Sequence, residues 1–197
     1  EIHPREIQNF MTANGSGFGF TMSTDVVAAD WIDPSMSSAP YPVLNSVLIS
    51  THKSCHGEGN WYHQKGSHSF KFSIRSHEEG WLNAFHFGVD SNHPLRPLLR
   101  ANKQKGELPC EHSFISTSDP FAVITTIKKA EDDSDLVLRL MEAEGKDKTV
   151  QIDLNHKVKA ISRTDMIEEN PEMLDQEGQV LQLELGKHAV ETYKMKY

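Results

Sequence analysis

The densest group of chemically capable side chains lies in Thr51–His68, which reads T-H-K-S-C-H-G-E-G-N-W-Y-H-Q-K-G-S-H. His52, Cys55, His56, Glu58, His63 and His68 are all of types that ligate zinc, and a tetrahedral set could converge from one loop. The spacing matches no standard zinc signature, however. There is no C-x-x-C pair, and His52 and His56 fall in a Gly-rich stretch rather than on a helix. The residues suit a sugar better. Saccharide sites pair an aromatic face, which packs on the apolar side of the ring, with planar polar groups that hold the hydroxyls. Trp61 and Tyr62 supply the first, and His56, Glu58 and Asn60 the second. The ordinary alternative is a surface loop whose aromatics cap a core and whose histidines are solvated. His56, Glu58, Asn60 and Trp61 are therefore the candidate substrate-binding residues, with no candidate catalytic group and no candidate metal ligand.

Other chemistries fail on their spacing. Glycoside hydrolysis needs two carboxylates about 5 to 9 Å apart across the scissile bond. Glu58, Glu78, Glu79 and Asp90 are the acids nearest the aromatic loop, but nothing marks a pair of them as acid and nucleophile. The acidic run Glu131–Asp135 lacks the Gly and terminal Glu of an EF-hand loop and reads as a solvated turn. No G-x-S-x-G occurs, and Gly15-Ser16-Gly17-Phe18-Gly19 lacks the Lys-Ser/Thr that would hold a phosphate.

The elements that would position these residues are strands. Phe70, Phe72 and Ile74 alternate with Ser69, Lys71 and Ser73, which predicts a strand over His68–Arg75 with its apolar face buried. Val150, Ile152 and Leu154 alternate in the same way, as do Leu181, Leu183 and Leu185. Phe121–Ile127 is apolar on both faces, which predicts a strand covered on both sides. Further strands are expected at Gly17–Met22, Asp25–Ala29, Val43–Ser50, Leu136–Ala143, Val158–Ser162 and Ala189–Tyr193. Glu144–Asp147 reads as the turn of a hairpin joining Leu136–Ala143 to Thr149–Leu154. Trp81, Leu82, Phe85 and Val89 predict one helix over Glu79–Ser91, stopped before Pro94. Asp165–Leu174, interrupted by Pro171, is expected to be a loop. Short, closely spaced strands separated by Gly, Pro, Asn and Asp indicate an all-β sandwich rather than β-α-β units.

The 197 residues suit one domain or two small ones. The patternless stretch Pro97–Glu111 is the expected junction, giving domains 1–111 and 112–197. A formal net charge of −8 argues against nucleic acid or an anionic membrane as partner. No stretch approaches the roughly 18 apolar residues of a membrane helix. The first residue is Glu1 and no leader pattern follows, so a processed product or an excised fragment is expected. Cys55 and Cys110 could form one long-range disulfide, though two free thiols are the plainer expectation.

Several segments resemble glycoside hydrolase family 38, the zinc-dependent retaining α-mannosidases, in its C-terminal region. Thr126–Gly145, T-I-K-K-A-E-D-D-S-D-L-V-L-R-L-M-E-A-E-G, resembles the family's strand, acidic turn and L-R-L-x-E strand. Thr164–Leu174, T-D-M-I-E-E-N-P-E-M-L, is similar to its N-L-L-E-E segment, and Val180–Leu185 with His188–Tyr193 to its closing hairpin. Upstream, Gly66–Ile74 with His77, Gly80 and Trp81 resembles G-x-H-x-F-x-Y-x-L-x-x-H-x-G-x-W, and Asn92-His93-Pro94-Leu95 follows at its N-x-P-L. Together these cover most of residues 45–197.

The resemblance implies a split architecture. In the family an N-terminal α/β barrel carries zinc, the nucleophile and the acid/base, and β-sandwich domains follow it. The barrel's H-x-D and H-H-D zinc motifs are absent here, so the chain is expected to hold no cofactor and to be inactive alone. Residues 1–111 would be the later part of the large, galactose-mutarotase-like supersandwich, and 112–197 the small terminal sandwich. The implied function is a non-catalytic module that packs against the barrel and meets α-mannoside glycans through the parent enzyme. On this reading the His52–Trp61 loop reaches the substrate cleft. Two rival readings are an autonomous, lectin-like mannoside-binding module and a small metalloprotein built on the His/Cys loop.

Overall fold

The computed structural model describes residues 5–26, 28–32, 41–49, 51–53, 58–101 and 105–197. The chain divides into two compact units, Glu1–Ala101 and Asn102–Tyr197.

The first unit contains β1 (Arg5–Glu6), β2 (Phe10–Gly15), β3 (Phe18–Thr24), β4 (Ala28–Ile32), β5 (Val43–Ser46), β6 (His52–Lys53), β7 (Trp61–Tyr62), β8 (Phe72–His77) and α1 (Leu82–Asn92). β2, β3 and β8 make one antiparallel sheet, β1, β4 and β5 a second, and β6 pairs with β7. The β2–β3 connection turns at Gly17, whose φ of 75° lies in the left-handed region that glycine enters without strain.

α1 lies against one face of the β2–β3–β8 sheet through Ala84, Phe85 and Gly88. Phe85 meets Phe10 edge-to-face with ring centroids 6.3 Å apart. At Gly88 an added Cβ would sit 2.1 Å from the Phe10 ring, so only glycine permits this approach. The sheet face beneath α1 is polar. Ser23 Oγ donates to Asn9 O and Gly88 O, and Asn92 Nδ2 donates to Asn9 O at 2.7 Å. His77 Nε2 stands 2.7 Å from Thr21 Oγ1.

The second unit is a β-sandwich. Its strands are β9 (Ile115–Thr117), β10 (Ala122–Lys129), β11 (Leu136–Glu142), β12 (Lys148–Val158), β13 (Ala160–Thr164), β14 (Glu172–Leu174), β15 (Gly178–Leu185) and β16 (Val190–Lys196). They form a five-stranded sheet, β10-β11-β16-β13-β14, and a three-stranded sheet, β15-β12-β9, every pairing antiparallel. Leu138, Leu140, Ile161, Tyr193 and Met195 from the first sheet share a buried cluster with Val150, Ile152, Leu154, Leu181, Leu183 and Leu185 from the second. Each of these leucines contributes about 2 kcal/mol of burial relative to exposure.

Several expectations change. Thr149–Leu154 does not pair with Leu136–Ala143, because β11 and β12 belong to opposite sheets. The chain crosses between layers at Glu144–Asp147 because Glu142 gathers the turn's amides onto its buried carboxylate. The closing pair is likewise an arch, with β15 in one sheet and β16 in the other. β10 is an edge strand rather than one covered on both sides, and Ile127 is 51% exposed. Glu172–Leu174, expected within a loop, pairs with β13. In the first unit β8 forms, but the buried face is the other one. Phe72 and Ile74 are exposed, while Ser73 and His77 are half-buried, because α1 covers the polar face.

Candidate functional site

Of the candidate sugar-contact residues, Glu58 and Asn60 precede β7 and Trp61 is its first residue. β6 and β7 pair His52 with Tyr62 and Lys53 with Trp61. Cys55 and His56 lie outside the described residues. Glu58, Asn60 and Trp61 are all exposed. Trp61 caps no core: it is 60% exposed and stacks on His63 with ring centroids 5.7 Å apart and planes 19° apart. The structure thus adds His63 to the aromatic surface. His68 has its Nε2 3.1 Å from Gln64 O and its ring stacked on Phe70. Among the described residues no three His, Cys, Asp or Glu side chains are grouped to hold a metal ion. Cys110 is an exposed free thiol.

A second surface is apolar and was not expected. Directly paired residues of antiparallel strands share a face, so Met11, Met22 and Ile74 stand in one row and Ala13, Phe20 and Ser76 in the next. Tyr41–Leu44 leaves a cavity of about 530 Å³ over the Ala13, Phe18, Phe20 and Met22 end of this face. The β8 end is open, with Ile74 59% and Phe72 38% exposed. Beyond α1, Leu95, Leu98 and Leu99 are 97%, 79% and 98% exposed. Three leucines this bare on one short, irregular segment are unusual for a surface meant to stay wet. The signal was in the sequence, since H-P-L-R-P-L-L-R has apolar residues but neither strand nor helix period.

The second unit presents a third feature, the β13–β14 connection. Glu168 and Asn170 hold φ of 69° and 53°, which non-glycine residues adopt at a cost of about 1 kcal/mol or more each. Asp165 organises the turn by accepting from the amides of Ile167 and Glu169 and from Asn170 Nδ2, which holds its carboxyl below the usual range. Glu168 is buried, 2.6 Å from Lys128 Nζ, and accepts from the Glu131 amide, while Arg139 Nη2 donates to Met166 O. The ammonium of Lys128 chiefly holds the Glu168 carboxyl below its ordinary pKa. So braced, the turn leaves Met166 and Ile167 59% and 69% exposed.

Residues 122–193 match the model of the glycosyl hydrolases family 38 C-terminal β-sandwich domain. The matched stretch lies wholly within the second unit. The chain as a whole is similar in fold to an α-mannosidase from Enterococcus faecalis V583, with a TM-score of 0.73 and 14% identity over 98% of this chain. It is similar also to a protein in the glycosyl hydrolase family 38 from Enterococcus faecalis, with a TM-score of 0.72 and 14% identity over 98% of this chain. These matches cover 21% and 23% of the solved chains, so this chain spans under a quarter of either. Comparison with curated proteins finds no match.

Proposed function

We propose that this chain is the non-catalytic C-terminal module of a zinc-dependent retaining α-mannosidase, packing against the catalytic barrel of a longer polypeptide. The observation that carries the reading is the Leu95–Leu99 segment, whose leucines are bare in the 197 residues alone. Burying one leucine side chain is worth about 2 kcal/mol, so this segment gains most from a surface supplied by further domains. The open face of Phe72 and Ile74 supports the same reading. On this reading zinc, the nucleophile and the acid/base belong to the barrel, and this chain contributes shape.

Hydrogen exchange tests it. In the longer polypeptide the amides of Leu98, Leu99 and their neighbours become protected relative to the isolated 197 residues. Equal exchange in both proteins would refute docking through this segment.

The His52–Trp61 loop is assigned to the rim of the substrate cleft, outside the cleavage subsite. It is supported by the exposed indole of Trp61 with Glu58 and Asn60 beside it. In the full enzyme, His56→Ala, Glu58→Ala and Trp61→Ala each lower kcat/KM for oligomannosides and spare a small aryl mannoside. Unchanged kcat/KM for the oligomannosides ends the assignment.

A further inference from the structure

The second unit contains a groove that the docking role does not use. Two adjoining cavities of about 540 and 380 Å³ share Thr149, Arg163 and Glu184. Their sizes fall within the range of about 300 to 1,000 Å³ typical of small-molecule sites. One wall is the cross-strand pair Thr149 and Glu184, on β12 and β15. The other is Arg163 with its sheet neighbour Glu172, and with Glu191.

The groups are held in place before any ligand arrives. Arg163 Nε and Nη2 donate to the two carboxylate oxygens of Glu191 at 2.8 and 2.7 Å, a bidentate pair with fixed orientation. Glu191 is 11% exposed and Arg163 43%, so the pair is seated in the sheet with the guanidinium still reachable. Tyr193 Oη, within the core, donates to the backbone oxygen of Glu184 at 2.6 Å and fixes that strand. Gln176 exchanges two hydrogen bonds of 2.7 Å with the backbone of Gln182 and braces the far end.

The chemistry of the lining selects the ligand. Glu191 already neutralises Arg163, and Asp147, Glu172 and Glu184 outnumber the one further cation, Lys148, so the groove carries excess negative charge that disfavours phosphates and carboxylates. Carboxylates, a hydroxyl and the spare N–H groups of a guanidinium are partners for a ligand rich in hydroxyls, which both donates and accepts. We infer that this groove binds a neutral saccharide, its hydroxyls donating to Glu172 and Glu184 and accepting from Arg163. Its lining residues all belong to the second unit and include none of the Trp61 loop. Tyr193 lines the smaller cavity but is 1% exposed and offers no ring face for stacking, so the groove binds in the millimolar range.

The test is amide chemical-shift titration of the whole 197-residue chain with linear α-mannotriose and, separately, maltotriose. A lysine heptapeptide and inorganic phosphate serve as comparators. Saturable shifts at Thr149, Arg163, Glu172 and Glu184 with at least one saccharide are expected, with none from phosphate. Glu184→Gln, an exposed isosteric change that keeps the fold, and Arg163→Gln each weaken binding about tenfold or more, and Trp61→Ala leaves it unchanged. The inference is overturned by three results: no saturable shift with either sugar, variants that bind like the parent chain, or the heptapeptide alone shifting these amides.

Discussion

The carboxylate of Glu142, on the last residue of β11, lies 3.2 Å from the ammonium of Lys148, the first residue of β12. The two strands belong to opposite sheets, so this ion pair ties the layers of the sandwich where the chain crosses between them. Glu142 also accepts from the amides of Glu144, Gly145, Lys146 and His188. Burial alone would raise its pKa, but these donors outweigh it and hold the carboxyl at about 2. Lys148 is raised despite its own burial, through hydrogen bonds to Asp119, Glu144 and Glu142.

A pH dependence follows from that depressed carboxyl. The ordinary value of 4.5 describes the unfolded chain, and the folded value is lower. Glu142 therefore stabilises the folded unit fully above about 4.5, and the contribution is lost as pH falls toward about 2. Urea midpoints between pH 7 and pH 2.5 should fall for the parent chain and less for Glu142→Gln. At neutral pH Glu142→Gln costs on the order of 3 kcal/mol, because Lys148 loses a buried counter-charge.

Tyr193→Phe removes one buried hydroxyl, the donor to Glu184 O, without opening space in the core. It should lower the stability of the second unit by about 1 kcal/mol in urea unfolding. Leu138→Ala, at a fully buried site, should cost about 2 to 5 kcal/mol by the same measurement.

Gly88→Ala separates helix propensity from packing. In an exposed helix the change gains about 1 kcal/mol. Here the new Cβ would press into Phe10, so the first unit should lose about 1 to 3 kcal/mol, read as a lower Tm.

Leu98→Ser and Leu99→Ser should leave the Tm of the 197-residue chain unchanged, since both side chains are already exposed. In the longer polypeptide each should cost about 1 to 3 kcal/mol of stability by denaturant unfolding, the price of unmaking a buried leucine contact.

Much of the second unit was legible in sequence, because strand periodicity writes inside and outside directly into alternate residues. Val150, Ile152 and Leu154 point into the core as expected, and so do Leu181, Leu183 and Leu185. The same period says nothing about which sheet a strand joins. Two connections expected as hairpins, at Glu144–Asp147 and between β15 and β16, therefore proved to be crossovers. Phe72 and Ile74 show the converse. Their alternation holds in β8 but their burial does not, because α1 lies on the polar face, where Ser23 Oγ donates to Gly88 O. Gly80 and Gly88, which weaken the helix on propensity, serve geometry: Gly80 turns at φ 113° before α1, and Gly88 admits Phe10. The groove around Arg163 had no sequence signature, because its walls come from five strands on two sheets.

The most direct test is the release of p-nitrophenol from p-nitrophenyl α-mannoside with zinc present. The 197-residue chain would be assayed beside the longer polypeptide that contains it. The account predicts turnover by the longer protein and none by the chain alone. Turnover by the chain alone would contradict it and return attention to the histidines of the His52–His68 loop.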